Sequence, residues 1–236
     1  PYDVKAFPNR WPALGEGNCE VVLYSPDHDT SFHGLGVPGV RKVIDLWAGR
    51  TTALLDRPGT EYVMIFENRG AEVGATIAHP HGQIYAFDHT PDRIARMFAA
   101  GWAPDSAPER LVLGNNHWTA STTVAPVFPV SLSVAPRARV GRLDELDNDA
   151  RTALATVLVG VLSCIDDLFG ASVPYMLWVN QAPRGSAGDE WLNIEIVSPW
   201  RSTGVPRYIA AAEVAGGEYF NPVNPEDLAA RLRPSA

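Results

Sequence analysis

Two histidines and an amide stand two residues apart in His79-Pro80-His81-Gly82-Gln83. In an extended strand that spacing puts the three side chains on one face, with Pro80 and Gly82 turned away. Neutral imidazole is a good nucleophile toward phosphorus, and an unperturbed ring with a pKa of about 6.5 is neutral at physiological pH. One histidine of the row therefore suits a nucleophile, provided that its neighbour or a backbone carbonyl fixes the tautomer. Gln83 adds an amide that can donate to a phosphoryl oxygen as charge shifts, without taking a proton. Pro80, with no N–H, fits a strand start or an edge, and Gly82 admits another backbone or a ligand close to the chain. In the loop Asn68-Arg69-Gly70-Ala71-Glu72-Val73-Gly74, the glycines can turn backbone amides toward phosphate, or simply make turns.

The elements that must hold this row follow from periodicity. Val21-Val22-Leu23-Tyr24 reads as a strand ended by the turn Ser25-Pro26-Asp27-His28. Val40, Ile44, Trp47, Thr51 and Leu54 recur at spacings of four and three, which predicts a helix stopped by Asp56-Arg57-Pro58-Gly59. A buried strand Tyr62-Val63-Met64-Ile65-Phe66, the glycine-rich loop and a strand over 79–87 complete the order strand, helix, strand, loop, strand. The second half repeats it. A strand over 131–136 precedes a helix with the face Leu154, Val157, Val161, Ile165 and Leu168, closed by Gly170. Then come a strand over 175–179, a polar loop from Asn180 to Gly185 and a strand over 191–197.

An offset of 112 residues carries Asn68 to Asn180, His79 to Trp191, His81 to Asn193 and Gln83 to Glu195. A register shared across loop and strand favours an internal duplication. The expected fold is α+β: two tandem half-repeats, each an antiparallel sheet plus a helix, side by side as one pseudo-symmetric body, because each alone has a small core. The division is placed at residues 1–98, with the active site, and 99–236, a degenerate copy with a C-terminal tail. The link over 88–116 reads as helix then loop, and 225–232 as a short packed helix.

The composition narrows the function. The chain has 236 residues, 27 acidic and 19 basic, for a net charge of −8, which argues against a surface built for nucleic acid or anionic lipid. Hydrophobic residues make up 46% and charged residues 19%, the profile of a folded globular chain. The largely apolar run over 154–162 is less than half of the roughly 20 residues that span a bilayer, and no signal-peptide pattern opens the chain, so a cytoplasmic location is expected. Cys19 and Cys164 make no CxxC or disulfide framework and read as buried thiols. His28, His33, His89 and His117 have a plain reading as surface or turn residues. Asp144-Glu145 and Asp166-Asp167 read as solvated faces, and Trp47 and Trp178 as core. The chain opens at Pro1 rather than Met, and an upstream segment is expected.

Phe66-Glu67-Asn68-Arg69-Gly70, then Gly74, then His79-Pro80-His81-Gly82-Gln83-Ile84 resemble galactose-1-phosphate uridylyltransferase, a family of the histidine-triad superfamily. The similarity runs from Phe7-Pro8-Asn9-Arg10-Trp11-Pro12 through Ser25-Pro26-Asp27-His28 to Arg207-Tyr208. The resemblance implies histidine-triad-like half-repeats and a ping-pong transfer. His81 attacks the α-phosphorus of UDP-glucose, releases glucose 1-phosphate and holds the uridylyl group until a sugar 1-phosphate collects it. It implies Gln83 on the phosphoryl oxygens and His79 beside the nucleophile. Asn68 and Thr76 fall near the phosphates, with Arg69 and Gly74 in the same binding run, and Asn9 near the uridine. It further implies a homodimer in which Arg207, Glu213 and Phe220 reach the neighbouring sugar site.

The departures from the family pattern carry expectations of their own. His28 and His79 match two ligands of a zinc whose other two come from an upstream cysteine pair, so zinc is expected only if such a segment supplies them, and no cofactor is required. A second metal site of the family has histidines at the positions of Asn180, Trp191 and Asn193, and its loss, with packing and hydrogen bonds in its place, is expected. The family's sugar-facing tyrosine is Ala212 here, which leaves the sugar open. The partners implied are a sugar nucleotide and a sugar 1-phosphate. Alternatives are a different nucleotide or sugar 1-phosphate, dinucleoside polyphosphate phosphorolysis or hydrolysis, and a non-catalytic nucleotide-binding relative. Related hydrolases carry a third histidine where Gln83 stands, and an amide there favours a long-lived intermediate over attack by water.

Overall fold

The stripe Val40, Ile44, Trp47, Thr51 and Leu54 is fully buried along one helix, α1 (Gly36–Leu55), of the computed structural model, which describes residues 2–234. Two strands precede α1, namely β1 (Lys5–Pro8) and β2 (Cys19–Leu23). After it come β3 (Tyr62–Arg69), β4 (His81–Phe87), α2 (Asp92–Ala99), β5 (Leu111–Gly114), β6 (Trp118–Thr122) and β7 (Val130–Pro136). Next are α3 (Asn148–Phe169), β8 (Tyr175–Asn180) and β9 (Asn193–Ser198). The small ribbon β10 (Trp200–Ser202) with β11 (Val205–Pro206), α4 (Ala211–Gly216) and α5 (Pro225–Leu232) end the chain. The Asp147 side chain accepts the Ala150 N–H to start α3, and Gly170, at φ 61°, ends it in the left-handed region that glycine tolerates.

Nine strands form one antiparallel sheet in the order β1-β2-β4-β3-β8-β9-β7-β6-β5. The offset of 112 residues holds for β2, β3 and β4 against β7, β8 and β9, whereas the outer pair β6–β7 is two residues out of register with β1–β2. The offset carries Cys19↔Tyr85 onto Ser131↔Val197 and Ile65↔Ile84 onto Leu177↔Ile196, so the pairing of these strands repeats to the residue. It also carries Phe66 onto Trp178, which pair with each other across β3 and β8. The pseudo-twofold axis of the body therefore passes through that pair. The fold is the α+β, pseudo-symmetric arrangement that the repeat implied.

Both long helices cover one face of the sheet. Alternation sends Val63 and Ile65, Ile84 and Ala86, Leu177 and Val179, and Ile194 and Ile196 toward α1 and α3, all within a few percent of full burial. Each Val, Leu or Ile among them contributes about 1.5–3 kcal/mol relative to exposure. α3 is long and apolar enough by composition to cross a membrane, yet its Leu154, Val157, Leu158, Val161, Leu162 and Ile165 are buried in this core. On the opposite face α2 lies over the second half, its Arg93 stacked 5.2 Å above Trp178 and bonded to both oxygens of Glu195. The first half of that face, with Phe66, Gln83 and Tyr85, is only partly covered.

Several elements differ from the expectation. β4 begins at His81, not His79: the Tyr24 N–H still bonds the Pro80 carbonyl, but Pro80 has no N–H to return and the ladder stops. β9 begins at Asn193 and leaves Trp191 outside it. The link contains α2 as expected, but then a hairpin, β5–β6, rather than a loop. β1 pairs with β2 along a segment whose periodicity is too short to read, and residues 199–220 build an arm that has no counterpart in the first half. Cys19 is buried and Cys164 only partly so.

Candidate active site

β4 places His81 and Gln83 on the open face of the sheet, while Gly82 and Ile84 point to the helices. His81 Nδ1 lies 2.8 Å from the His79 carbonyl. A carbonyl only accepts, so Nδ1 carries the proton and Nε2 keeps its lone pair. The tautomer is thus fixed by main chain, one of the two means that a nucleophilic histidine was expected to need.

His79 does not join the row. It precedes the strand, and its ring turns to the 25–28 turn, with Nε2 2.8 Å from the Ser25 carbonyl and Nδ1 2.9 Å from Nδ1 of His28. Its service to His81 is through its carbonyl. The two Nδ1 atoms of His28 and His79 are positioned to share a cation, but among the described residues no group of three or more His, Cys, Asp or Glu is placed to hold a metal. Four-coordinate zinc is not completed by the described residues.

Continuing the β3–β4 register two residues past Phe66↔Gln83 sets Asn68 across from His81. A cleft of about 640 Å3 opens at this end of the sheet, bordered by Asn68, Thr76, His79 and His81. Gln83 lies two residues further along β4. Asn9 stands at the far end of β2, its N–H on the Cys19 carbonyl, where Cys19 pairs with Tyr85. Four residues of strand separate that end from His81, about 13 Å.

Four expected binding residues, Arg69, Gly74, Arg207 and Glu213, are engaged within the protein. Arg69 makes a bidentate pair with Asp166 of α3 at 3.0 and 3.1 Å, reaches Ser172 and lies over the Tyr175 ring, so it borders the cleft as a clamp between the two halves, its charge already paired. The Gly74 N–H bonds the Ala71 carbonyl and closes a turn instead of cradling phosphate. The room at Gly82 is taken by the Tyr24 hydroxyl, which a Cβ there would strike. Arg207 and Glu213 form a buried ion pair that staples the base of the arm. Glu213 also accepts the Ala210 and Phe220 N–H groups, and these with Arg207 hold its carboxyl below the usual range. Phe220 is 67% exposed on that arm, with Tyr208 at 80% and Val214 at 68%.

Two groups read as solvated are structural. Asp166 takes Arg69 and the Val173 N–H, and His33, half-buried, lies 3.4 Å from it. Burial lowers the His33 pKa from its ordinary value, against the opposing pull of Asp166. Sequence reasoning missed Glu67, whose burial pushes its carboxyl up to about 7. Its parity with Val63 and Ile65 was the available signal. In the mate of the site, Asn180 donates to Asn193 at 2.7 Å and to Glu195 at 2.8 Å, and Glu195 is neutralised by Arg93. Trp191 lies outside this cluster under Arg139.

The chain is similar to several known proteins. A family model for the N-terminal domain of galactose-1-phosphate uridyl transferase matches residues 9–91, and one for its C-terminal domain matches residues 77–233. Galactose-1-phosphate uridylyltransferase of Streptomyces lividans is 36% identical over 260 aligned positions, covering 98% of this chain and 73% of that protein. The Thermotoga maritima protein of the same name is 31% identical, with 98% and 84% covered. A solved uridylyltransferase structure superposes with a TM-score of 0.93 at 24% identity, over 99% of this chain and 84% of that one, a likeness of fold.

Proposed function

The chain belongs to the galactose-1-phosphate uridyl transferase family, and on that premise we propose that it moves a uridylyl group from UDP-glucose to a sugar 1-phosphate in two steps through His81. It is an enzyme and a nucleotidyltransferase. In the first step the Nε2 lone pair forms a bond to the α-phosphorus. The bond from that phosphorus to the bridging oxygen breaks, and its electron pair leaves with glucose 1-phosphate. The ring then carries a positive charge, which the Nδ1–H bond to the His79 carbonyl stabilises. In the second step a phosphate oxygen of the acceptor attacks the same phosphorus, the P–N bond breaks and the ring returns to neutral.

Gln83 and Asn68 flank His81 on the open face and donate amide N–H groups to the phosphoryl oxygens as charge builds. Neither takes a proton, which leaves water without a base. The nucleotide lies along β4, with its phosphates at the cleft and its base toward Asn9, a span that an extended nucleoside diphosphate covers. In a homodimer the exposed Tyr208, Val214 and Phe220 of the arm meet the second copy beside its sugar site.

The observation that carries this reading is the main-chain bond to His81 Nδ1. Intact mass after incubation with UDP-glucose tests it. The expected result is a gain of one uridylyl group, absent in His81→Ala and discharged by a sugar 1-phosphate. Turnover that persists in His81→Ala would refute it. Other sugar nucleotides and sugar 1-phosphates run beside these define the donor and acceptor.

A further inference from the structure

Beneath the backbone that carries His81 lies a buried acid for which the two-step transfer has no use. Glu67 follows Phe66 in β3 and faces the helices, 4% exposed, while still bordering the cleft. Its Oε1 accepts the Tyr175 hydroxyl at 2.8 Å, and its Oε2 is buried with no hydrogen-bond partner. The Tyr24 hydroxyl is a second buried group without a partner. Tyr24 follows β2, its ring packed on Phe32 and Trp47 with centroids at 5.1 and 6.1 Å. Its hydroxyl fills the space under Gly82, with Cζ 2.9 Å from where a Cβ would stand, and its N–H donates to the Pro80 carbonyl at 3.3 Å. One tyrosine thus touches the chain on both sides of His81.

Burial raises the Glu67 carboxyl to about 7, while the Tyr175 hydroxyl, Arg69 and the Tyr24 hydroxyl favour its charged form. Beyond these, the charged and titratable groups on this side are Asp166 of α3, tied to Arg69, and His33, beside the same Asp166. A neutral carboxyl accepts the Tyr175 hydroxyl on one oxygen and carries on the other an O–H for which the Tyr24 hydroxyl oxygen is the acceptor, so that losing the proton turns the Tyr24 hydroxyl from acceptor into donor. A buried carboxylate needs a donor on each oxygen, and the Tyr24 hydroxyl is the unpartnered donor that acts on it.

We propose that Glu67 is a positioning residue that, by losing its proton, draws the Tyr24 hydroxyl from beneath Gly82 and shifts the His81–Gln83 backbone. The effect on rate rests on the two-step reading above; the coupling itself does not. Misplacement of a nucleophile by a fraction of an ångström lowers its rate on the order of tenfold.

The test follows the backbone amide resonances of Gly82 and Gln83 from about pH 5.5 to about pH 8.5, alongside the rate of uridylyl adduct formation. The wild-type amides are expected to inflect near pH 7. Glu67→Gln removes that inflection, and Tyr24→Phe moves it upward by taking away a donor that favours the carboxylate. Adduct formation is expected to fall about tenfold on the alkaline side in wild type and to stay level in Glu67→Gln. Identical amide titrations for wild type and Glu67→Gln would overturn the proposal. A wild type that forms no adduct would sink the transferase reading while the amides still decide the coupling.

Discussion

His81 keeps one proton throughout the proposed reaction, the one its Nδ1 gives to the His79 carbonyl, so no separate base is needed to prepare the nucleophile. The amide at Gln83 is then the group most exposed to test. Gln83→Ala should lower the rate of adduct formation by about 10²-fold with little change in stability, measured by rapid-quench mass analysis. Glu67 has a stability signature as well as a positional one. Its folded value of about 7 is above the usual carboxylate value of 4.5, so its contribution is fully present below about pH 4.5 and is lost as pH rises through about 7. Chemical denaturation should therefore show Glu67→Gln gaining on wild type by about 3 kcal/mol between pH 4.5 and 7.5. The row His81 and Gln83 was legible because a period of two is a property of the chain. The engagement of Arg69 was not, because its partner Asp166 is brought from 97 residues away.

At the scale of elements, α1 and α3 were legible from their stripes, since each buries a full face and four-three spacing leaves few alternatives. β4 was read two residues too long because the alternation His, Pro, His continues past the point where pairing stops. β1 and β5 are four residues each, too short for a period to register against background. The close fit between β4 and the tyrosine beneath it makes a sharp prediction. Gly82→Ala should cost about 1–3 kcal/mol in denaturant melts, and Tyr24→Phe in the same chain should recover part of it by removing the struck hydroxyl. The clamp between β3 and α3 is equally open to measurement. Arg69→Met leaves Asp166 half-served in a largely buried setting and should cost about 2 kcal/mol, with the nucleophile intact.

For the whole molecule, the repeat offset was readable from four aligned positions, and it implied two α+β units side by side before any strand end was known, though not that their sheets join into one through β3 and β8. The arm was not readable: it lies outside the repeat, and its shape depends on an ion pair, Arg207 with Glu213, buried only after folding. Its exposed aromatic residues lead to a measurement. Tyr208→Glu with Phe220→Glu should convert a dimer to monomers in sedimentation velocity, and a wild type already monomeric at micromolar concentration would end the dimer reading. The axis through Phe66 and Trp178 has one more implication, for synthesis. β3 is interior only because β8 pairs with it, and β8 is encoded more than a hundred residues later. At ordinary translation speeds of about 5–20 residues per second, the emerging first half holds an eight-residue strand edge, apolar from Tyr62 to Phe66, open for roughly ten seconds. During that interval neighbouring nascent chains on one messenger compete with the chain's own second half for the same row of hydrogen bonds.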